Sequence, residues 1–274
     1  MKYLDIQGDR FPAIGLGTSG LEGKRCTEIV RTALGLGYRH IDTAQAYGNE
    51  REVGRAIAAS GVKRADIFVV TKVWRSSLKP RDVHRSTEGS LDALGTEFVD
   101  LLLVHWPNDS IPLGDTLTAF GELKAAGKAR HIGVSNFPLK LLREAVETHR
   151  APVFANQVEY HPLLDHAALL SYMRRHDIAL TAYSPLGRGR LVDNPVLAKI
   201  GRKRGRSASQ IALAWLLRQD GVAAIPKFSS EAHGRANLEA FDIALDDAEL
   251  EAISRLDKGF RVWEPSWGPN WRES

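Results

Sequence analysis

Apolar residues fall along the chain in two alternating patterns. One is short and nearly continuous, as in Ile67-Phe68-Val69-Val70-Thr71 and Val99-Asp100-Leu101-Leu102-Leu103-Val104. A run that is apolar on both faces suits a strand covered on both sides, as in a parallel sheet. The other is spaced, as at Ile29, Val30, Ala33 and Leu34, where the apolar residues share one side of a helix. On this basis strands are predicted at 11–16, 38–42, 67–71, 99–104, 129–134, 154–158, 178–183 and 222–225. Helices are predicted at 27–36, 50–60, 80–94, 116–126, 138–148, 167–176, 207–219 and 246–256. Gly61 and Gly95 are natural helix stops, Pro80 a natural first-turn residue and Ser207 a natural N-cap.

Eight strand–helix units follow one another with no linker, tandem repeat or break in composition. That pattern predicts a closed (β/α)8 barrel forming one domain over residues 1–274, with an open doubly wound sheet as the competing architecture. Residues 3–6 and 10–13 are expected to add a hairpin under the barrel, and residues 260–274 a tail over it.

Composition narrows the partners. The chain has 274 residues, 43% hydrophobic, and a formal charge of +4. The basic run Arg202-Lys203-Arg204-Gly205-Arg206 lacks the aromatic or motif support of a nucleic-acid reader and reads as a solvated helix end. No stretch is long and apolar enough for a membrane span, and the N-terminus lacks the pattern of a signal peptide. A single cysteine, Cys26, permits no internal disulfide and fits a reducing compartment. A cytoplasmic monomer acting on a small molecule, with no nucleic-acid or membrane partner, is the expectation.

Gly15-Leu16-Gly17-Thr18-Ser19-Gly20 matches the dinucleotide fingerprint by letter, with Asp42 at about the spacing of its acidic residue. Leu21-Glu22-Gly23-Lys24 intervenes before any helix, however, and Asp42 belongs to a richer cluster. The glycines are better explained by backbone approaching a ligand at the top of the first strand.

That richer cluster lies at the C-terminal ends of neighbouring strands, where (β/α)8 enzymes keep their chemistry. Asp42 ends the second strand, Tyr47 lies in its loop, Lys72 ends the third and His105 ends the fourth. Together they suit carbonyl reduction. A phenol keeps its proton at neutral pH and can donate it if a cation stabilises the phenolate left behind. Lys72 is that cation, Asp42 its counter-charge, and His105 can hydrogen-bond the carbonyl oxygen. The hydride has to come from a cofactor. No H-E-x-x-H metal motif and no G-x-S-x-G elbow is present, which disfavours a metal centre and serine hydrolysis.

The segment Gly37-Tyr38-Arg39-His40-Ile41-Asp42-Thr43-Ala44-Gln45-Ala46-Tyr47-Gly48-Asn49-Glu50 resembles the first signature of the aldo-keto reductases, and Leu101-Leu102-Leu103-Val104-His105-Trp106-Pro107 their strand-four motif. The resemblance runs through nearly the whole chain. It implies a catalytic tetrad of Asp42, Tyr47, Lys72 and His105, and NADPH bound across the barrel top. It places Gly17 and Thr18 beside the cofactor and gives the nicotinamide carboxamide to Ser135, Asn136 and Gln157. Tyr183 would stack on the ring, and Ser184, Leu186 and Gly187 would line the pyrophosphate.

At the adenine end, Lys227, Phe228, Ser229, His233 and Asn237 take the family positions. Here the chain departs from pattern. Phe228 stands for a serine, His233 for an arginine and Ala236 for a glutamate. Lys227 can still pair with a 2′-phosphate, while Arg235 is a compensating cation out of register. NADPH is therefore expected, with weaker discrimination against NADH than is usual in the family.

Trp74 and Trp106 are expected to wall the substrate site beside His105. The tail carries Trp263, Trp267 and Trp271, which either pin it to the barrel or close the pocket. Arg261 is a candidate contact for an anionic substrate. Among compact prokaryotic-type members, the likeness points to reduction of 2,5-diketo-D-gluconate or a related keto sugar acid. A broad reductase of methylglyoxal and other aldehydes is the alternative, and a cofactor-binding regulatory subunit the non-enzyme one.

Overall fold

The fold follows from how the predicted strands find cover. In the computed structural model, which describes residues 1–271, eight parallel strands form one sheet in sequence order: β3 (Leu16–Gly17), β4 (His40–Asp42), β5 (Phe68–Val73), β6 (Val99–Val104), β7 (Ala129–Ser135), β8 (Val153–Glu159), β9 (Ala179–Tyr183) and β10 (Val222–Ala224). The sheet closes on itself. Ile14 bridges Ala224 in parallel, Gly15 N donates to the Ala224 carbonyl at 2.9 Å, and Ala224 N donates to the Ala13 carbonyl at 2.9 Å. The result is the (β/α)8 barrel, and the open-sheet alternative falls.

Helices α1 (Gly23–Gly35), α2 (Glu50–Ala58), α3 (Pro80–Leu94), α4 (Leu113–Ala125), α5 (Leu139–Arg143, continued by a π turn over Glu144–Thr148) and α6 (Ala167–Arg175) cover the sheet from outside. Then come α7 (Pro195–Arg204), α8 (Ala208–Leu217), α9 (Glu231–Leu238) and α10 (Asp247–Ser254). The main core lies between helices and sheet, for example Ile29, Val30, Ala33 and Leu34 of α1. A second cluster, including Phe11, Leu101, Leu103 and Phe154, fills the barrel interior toward its floor.

One prediction changes and two helices are added. The run at 11–16 divides: Phe11 and Pro12 end β2 (Asp9–Pro12), which pairs with β1 (Tyr3–Ile6) as the floor hairpin, and only Leu16 and Gly17 form the barrel strand. Phe11 is fully buried against the rings of His40, Phe68 and Phe154, so its apolar character serves the floor plug rather than a strand of the barrel. Helix α7 was not anticipated, although Asn194 caps it through Val196 N and Leu197 N with Pro195 at its first turn. Helix α9, capped by Ser230, was likewise unread.

The glycine motif has a packing cause. A Cβ on Gly15 would lie 2.6 Å from His40 Cγ, and one on Gly17 would lie 2.7 Å from the Ile225 carbonyl at the closing seam. The basic run does end a helix. Lys203 and Arg204 close α7 and reach Asp246 and Glu249 at 2.8–3.1 Å. Among the described residues no helix is long and apolar enough to cross a membrane.

Candidate active site

The C-terminal ends of β4, β5 and β6 bring the four predicted catalytic residues together. Lys72, on the penultimate residue of β5, is fully buried and places Nζ 2.6 Å from Asp42 Oδ1 at the end of β4. It also donates to the Thr43 carbonyl at 2.7 Å and lies 3.4 Å from Tyr47 Oη. Tyr47 comes from a one-turn 3₁₀ helix (Gln45–Tyr47), capped by Gly48 in the left-handed region at φ +66°. His105 follows β6 directly, its backbone N–H bonded to the Val73 carbonyl at 3.0 Å. Its ring meets Tyr47 edge-on at 5.6 Å and Trp74 at 5.1 Å.

Electrostatics sort these groups into roles. Burial pushes the Tyr47 hydroxyl above the ordinary phenol range, and the Lys72 charge draws it part of the way back. Burial presses the Lys72 ammonium down, but the Asp42 carboxylate and the Tyr47 hydroxyl press upward and prevail. Burial, and then the Lys72 charge, hold His105 well below the usual histidine range, so its imidazole is neutral. His105 Nδ1 is sealed in without a partner, leaving Nε2 as the ring nitrogen available to a ligand. The site thus holds a protonated phenol, a permanent ammonium and a neutral imidazole at one mouth.

The predicted cofactor residues form a connected arc beside them. Gln157 Nε2 donates to Asp42 Oδ2 at 2.7 Å, so it also fixes the carboxylate that pairs with Lys72. Ser135 Oγ donates to the Gln157 carbonyl at 2.8 Å. Asn136, in the left-handed region at φ +62°, donates to the His105 carbonyl at 2.9 Å and accepts from Tyr183 Oη at 2.8 Å. Thr18 bonds the Asp42 carbonyl through both Oγ1 (2.9 Å) and its backbone N–H (3.0 Å). Tyr183 is a half-buried ring at the end of β9, followed by a turn with Ser184 at φ +45° and Gly187 at φ +55°, and Leu186 is half-buried within it.

The far end is cationic and exposed. Lys227 Nζ reaches the Ser19 carbonyl at 3.0 Å, and Ser229 Oγ lies 3.4 Å from His233 Nδ1. Phe228 does not face this surface: its ring turns inward against Tyr38 at 5.7 Å, because burying an aromatic ring there is favourable. Asn237 is buried beside the Tyr38 hydroxyl. Arg235 lies one turn on from Glu231 and pairs with it at 2.9 Å, both side chains being more than half exposed. A flat aromatic, an amide cluster, a left-handed turn and a cation in sequence suit a nicotinamide dinucleotide carrying a 2′-phosphate.

Over the mouth sits the tail. Trp267 packs edge-on against Trp106 at 5.2 Å and Trp74 at 5.8 Å, with Arg75 over its other side at 4.7 Å. Trp271 instead lies against His166 and Arg261, and Trp263 is largely exposed near Arg188. Of the three, Trp267 is the one that touches Trp74 and Trp106, although at 39% it is nearly as exposed as Trp263 at 42%. The last residues of the predicted tail, 272–274, lie outside the described residues.

Residues 13–258 match the Aldo/keto reductase family. The chain belongs to that family. Over 265 residues this aldo/keto reductase is 38% identical to the methylglyoxal reductase DkgB of Escherichia coli O157:H7, covering 95% of this chain and 99% of that one. It is 38% identical over 257 residues to the 9,11-endoperoxide prostaglandin H2 reductase of Trypanosoma cruzi (strain CL Brener), covering 92% and 90%. Among solved structures it is similar to a protein provisionally assigned as 2,5-diketo-D-gluconic acid reductase B, with a TM-score of 0.96, 41% identity, and coverage of 99% of this chain and 97% of that one. Like its family it is an NADP-dependent oxidoreductase that reduces carbonyl groups.

Several supporting residues went unread in the sequence. Asn49 holds the loop after β3 to the catalytic loop, donating to the Thr18 and Leu21 carbonyls at 2.9 Å each and accepting from Thr43 Oγ1 at 2.7 Å. Gln45 holds Trp74 N at 3.2 Å and Ser90 Oγ at 3.0 Å. Glu159, fully buried, accepts from Val262 N at 2.5 Å, Trp263 N at 3.0 Å and His161 Nε2 at 3.0 Å, anchoring the tail. Each is a polar residue near a candidate site position, Gln45 and Asn49 two residues from Tyr47 and Glu159 two from Gln157, and that proximity is the one signal the sequence offers.

Proposed function

We propose that this reductase converts a keto sugar acid of the 2,5-diketo-D-gluconate type, or a related small carbonyl compound, to the alcohol, with Tyr47 as the proton donor. The observation that carries the mechanism is the Tyr47 hydroxyl 3.4 Å from a buried Lys72 ammonium that is itself paired with Asp42. NADPH, when bound, would supply the hydride that goes to the carbonyl carbon. The residues supply the rest. His105 Nε2 hydrogen-bonds the carbonyl oxygen and orients it, Tyr47 Oη passes its proton to that oxygen, and Lys72 stabilises the tyrosinate left behind. Asp42, held by Gln157, keeps the ammonium in place.

Trp74, Trp106 and Trp267 wall the substrate and exclude water around the polar centre. Lys227, with Ser229 and His233, would meet the 2′-phosphate. Phe228 is turned inward and a histidine stands at 233 where the family has a fixed cation, so NADPH is preferred with narrower discrimination against NADH than the family pattern gives. The chain acts as a cytoplasmic monomer; the one closed barrel supports a single domain, and its one buried free cysteine suits a reducing compartment.

A second reading rests on the likeness to the E. coli methylglyoxal reductase: a broad reductase that removes small aldehydes. Cofactor oxidation followed with 2,5-diketo-D-gluconate and with methylglyoxal separates the two. A much higher kcat/KM for the diketo acid is expected, and a preference for methylglyoxal selects the second reading. Tyr47→Phe is expected to abolish turnover while NADPH binding survives. Turnover that persists in this variant would remove Tyr47 from the mechanism, and a wild-type protein that binds cofactor but reduces neither compound would overturn both substrate readings.

A further inference from the structure

At the outer end of the cofactor arc, side chains from two loops cross each other. Lys227, in the segment after β10, reaches back to the Ser19 carbonyl, and its Nζ stands 3.4 Å from where a Cβ on Gly20 would be. In the opposite direction, Arg25 on the first turn of α1 extends its Nη2 to the Ser229 carbonyl. The two cations thus interlock over the mouth between α1 and α9. Also there are the Ser229 hydroxyl, the His233 ring and the N-terminus of α9, whose cap Ser230 receives His233 N.

Two carboxylates are near. Glu231 pairs with Arg235 at 2.9 Å and Glu28 lies 3.4 Å from Arg25 Nη1; all four side chains are more than half exposed, so both pairs are weak in water. A guanidinium carries five N–H donors in a planar fork. The Ser229 and Glu28 contacts use two, which leaves donors for an anion.

We infer that Arg25 is a cofactor-specificity residue, supplying with Lys227 the fixed positive charge that recognises the 2′-phosphate of NADPH. The inference rests on the reading of this arc as the cofactor site. Its chemistry is that of a phosphate monoester: near two negative charges and three acceptor oxygens, facing a bidentate donor, an ammonium and a hydroxyl. It also accounts for how a chain with histidine at position 233 keeps a second permanent cation there. The arginine comes from the first helix of the barrel rather than from the helix after the last strand. Its exposure keeps the contribution modest.

The test is equilibrium binding read by quenching of the intrinsic tryptophan fluorescence, with no turnover involved. Arg25→Gln is expected to weaken NADPH and 2′,5′-ADP by about tenfold, the size of a charged hydrogen bond discounted for exposure, with NADH and 5′-ADP unchanged within about twofold. Arg25→Lys, which keeps the charge without the fork, should recover part of the loss. If Arg25 only staples the loops, Arg25→Gln will weaken NADPH and NADH equally or will affect neither, and either result overturns the assignment. A wild-type protein that binds neither dinucleotide would strike the cofactor reading itself, a failure separable from that of Arg25.

Discussion

At the scale of single residues, the site turns on one buried charge pair. Lys72 and Asp42 are both removed from water, and the carboxylate is completed by Gln157 and the ammonium by Thr43 and Tyr47. Removing one member leaves the other buried without its partner, which costs about 3–5 kcal/mol. Lys72→Met should therefore destabilise the fold by that order in urea unfolding. It should also lower kcat by roughly 10²–10⁴, the range of general acid–base contributions. The sign of the pH effect is fixed. Lys72 draws the Tyr47 pKa down, so without it the phenol holds its proton to still higher pH. The alkaline limb of the kcat profile should then move upward even as the plateau falls. A Lys72→Met profile with its limb moved to lower pH would contradict this account.

At the scale of elements, the unresolved question in the sequence was the tail. Its three tryptophans read alike by composition, and only position separates Trp267, against Trp74 and Trp106, from Trp263 and Trp271. The anchor is Glu159 at the end of β8, which takes the backbone N–H groups of Val262 and Trp263. Glu159→Ala would leave those donors and His161 Nε2 without their acceptor, so the tail should loosen. KM for the carbonyl substrate is expected to rise severalfold with kcat little changed, and the emission of Trp267 should shift to the red. A kcat loss at constant KM would instead tie Glu159 to the chemical step.

Legibility differs between elements for physical reasons. Strands β5 and β6 are apolar on both faces and announce themselves, and the catalytic residues follow from their ends. Strand β3 is two residues long, and the apolar Phe11 before it belongs to the floor, so pattern alone misplaced its start. Helix α7 ends in the basic run Arg202-Lys203-Arg204 and buries only Leu197, Ile200 and Gly201, so its apolar face is short, although Asn194-Pro195 marks its start. The site residues with chemistry of their own were legible. Asn49, Gln45 and Glu159 act through hydrogen bonds set by the folded backbone, and no periodicity in the sequence carries that.

At the scale of the whole molecule, the barrel holds histidines neutral from floor to mouth. His40, beneath the strand ends, is pushed down to about 4 by burial, against the opposing pull of Asp42. His166, under the tail, is pushed down to about 4 by burial and then by Arg261. In the unfolded chain each returns to about 6.5 and binds a proton that the folded chain refuses. Their contribution to stability is complete above pH 6.5 and is lost as pH falls toward 4, at up to about 1.4 kcal/mol per pH unit for each. Urea unfolding between pH 7.5 and 5 should show a free energy that is level at the upper end and declines below about pH 6.5, opposed in part by Glu50, whose pKa burial raises. His40→Gln should remove part of that slope. A free energy independent of pH over this window would mean that these rings are not held neutral by the fold. Because His105 is held neutral by the same burial, kcat should stay level through pH 6.5 while stability declines. Activity loss on mild acidification would then follow the fraction unfolded rather than the protonation of an active-site imidazole. Comparing initial rates with the folded fraction at each pH separates the two, and a kcat that falls through pH 6.5 in protein still fully folded would assign the titration to His105 instead.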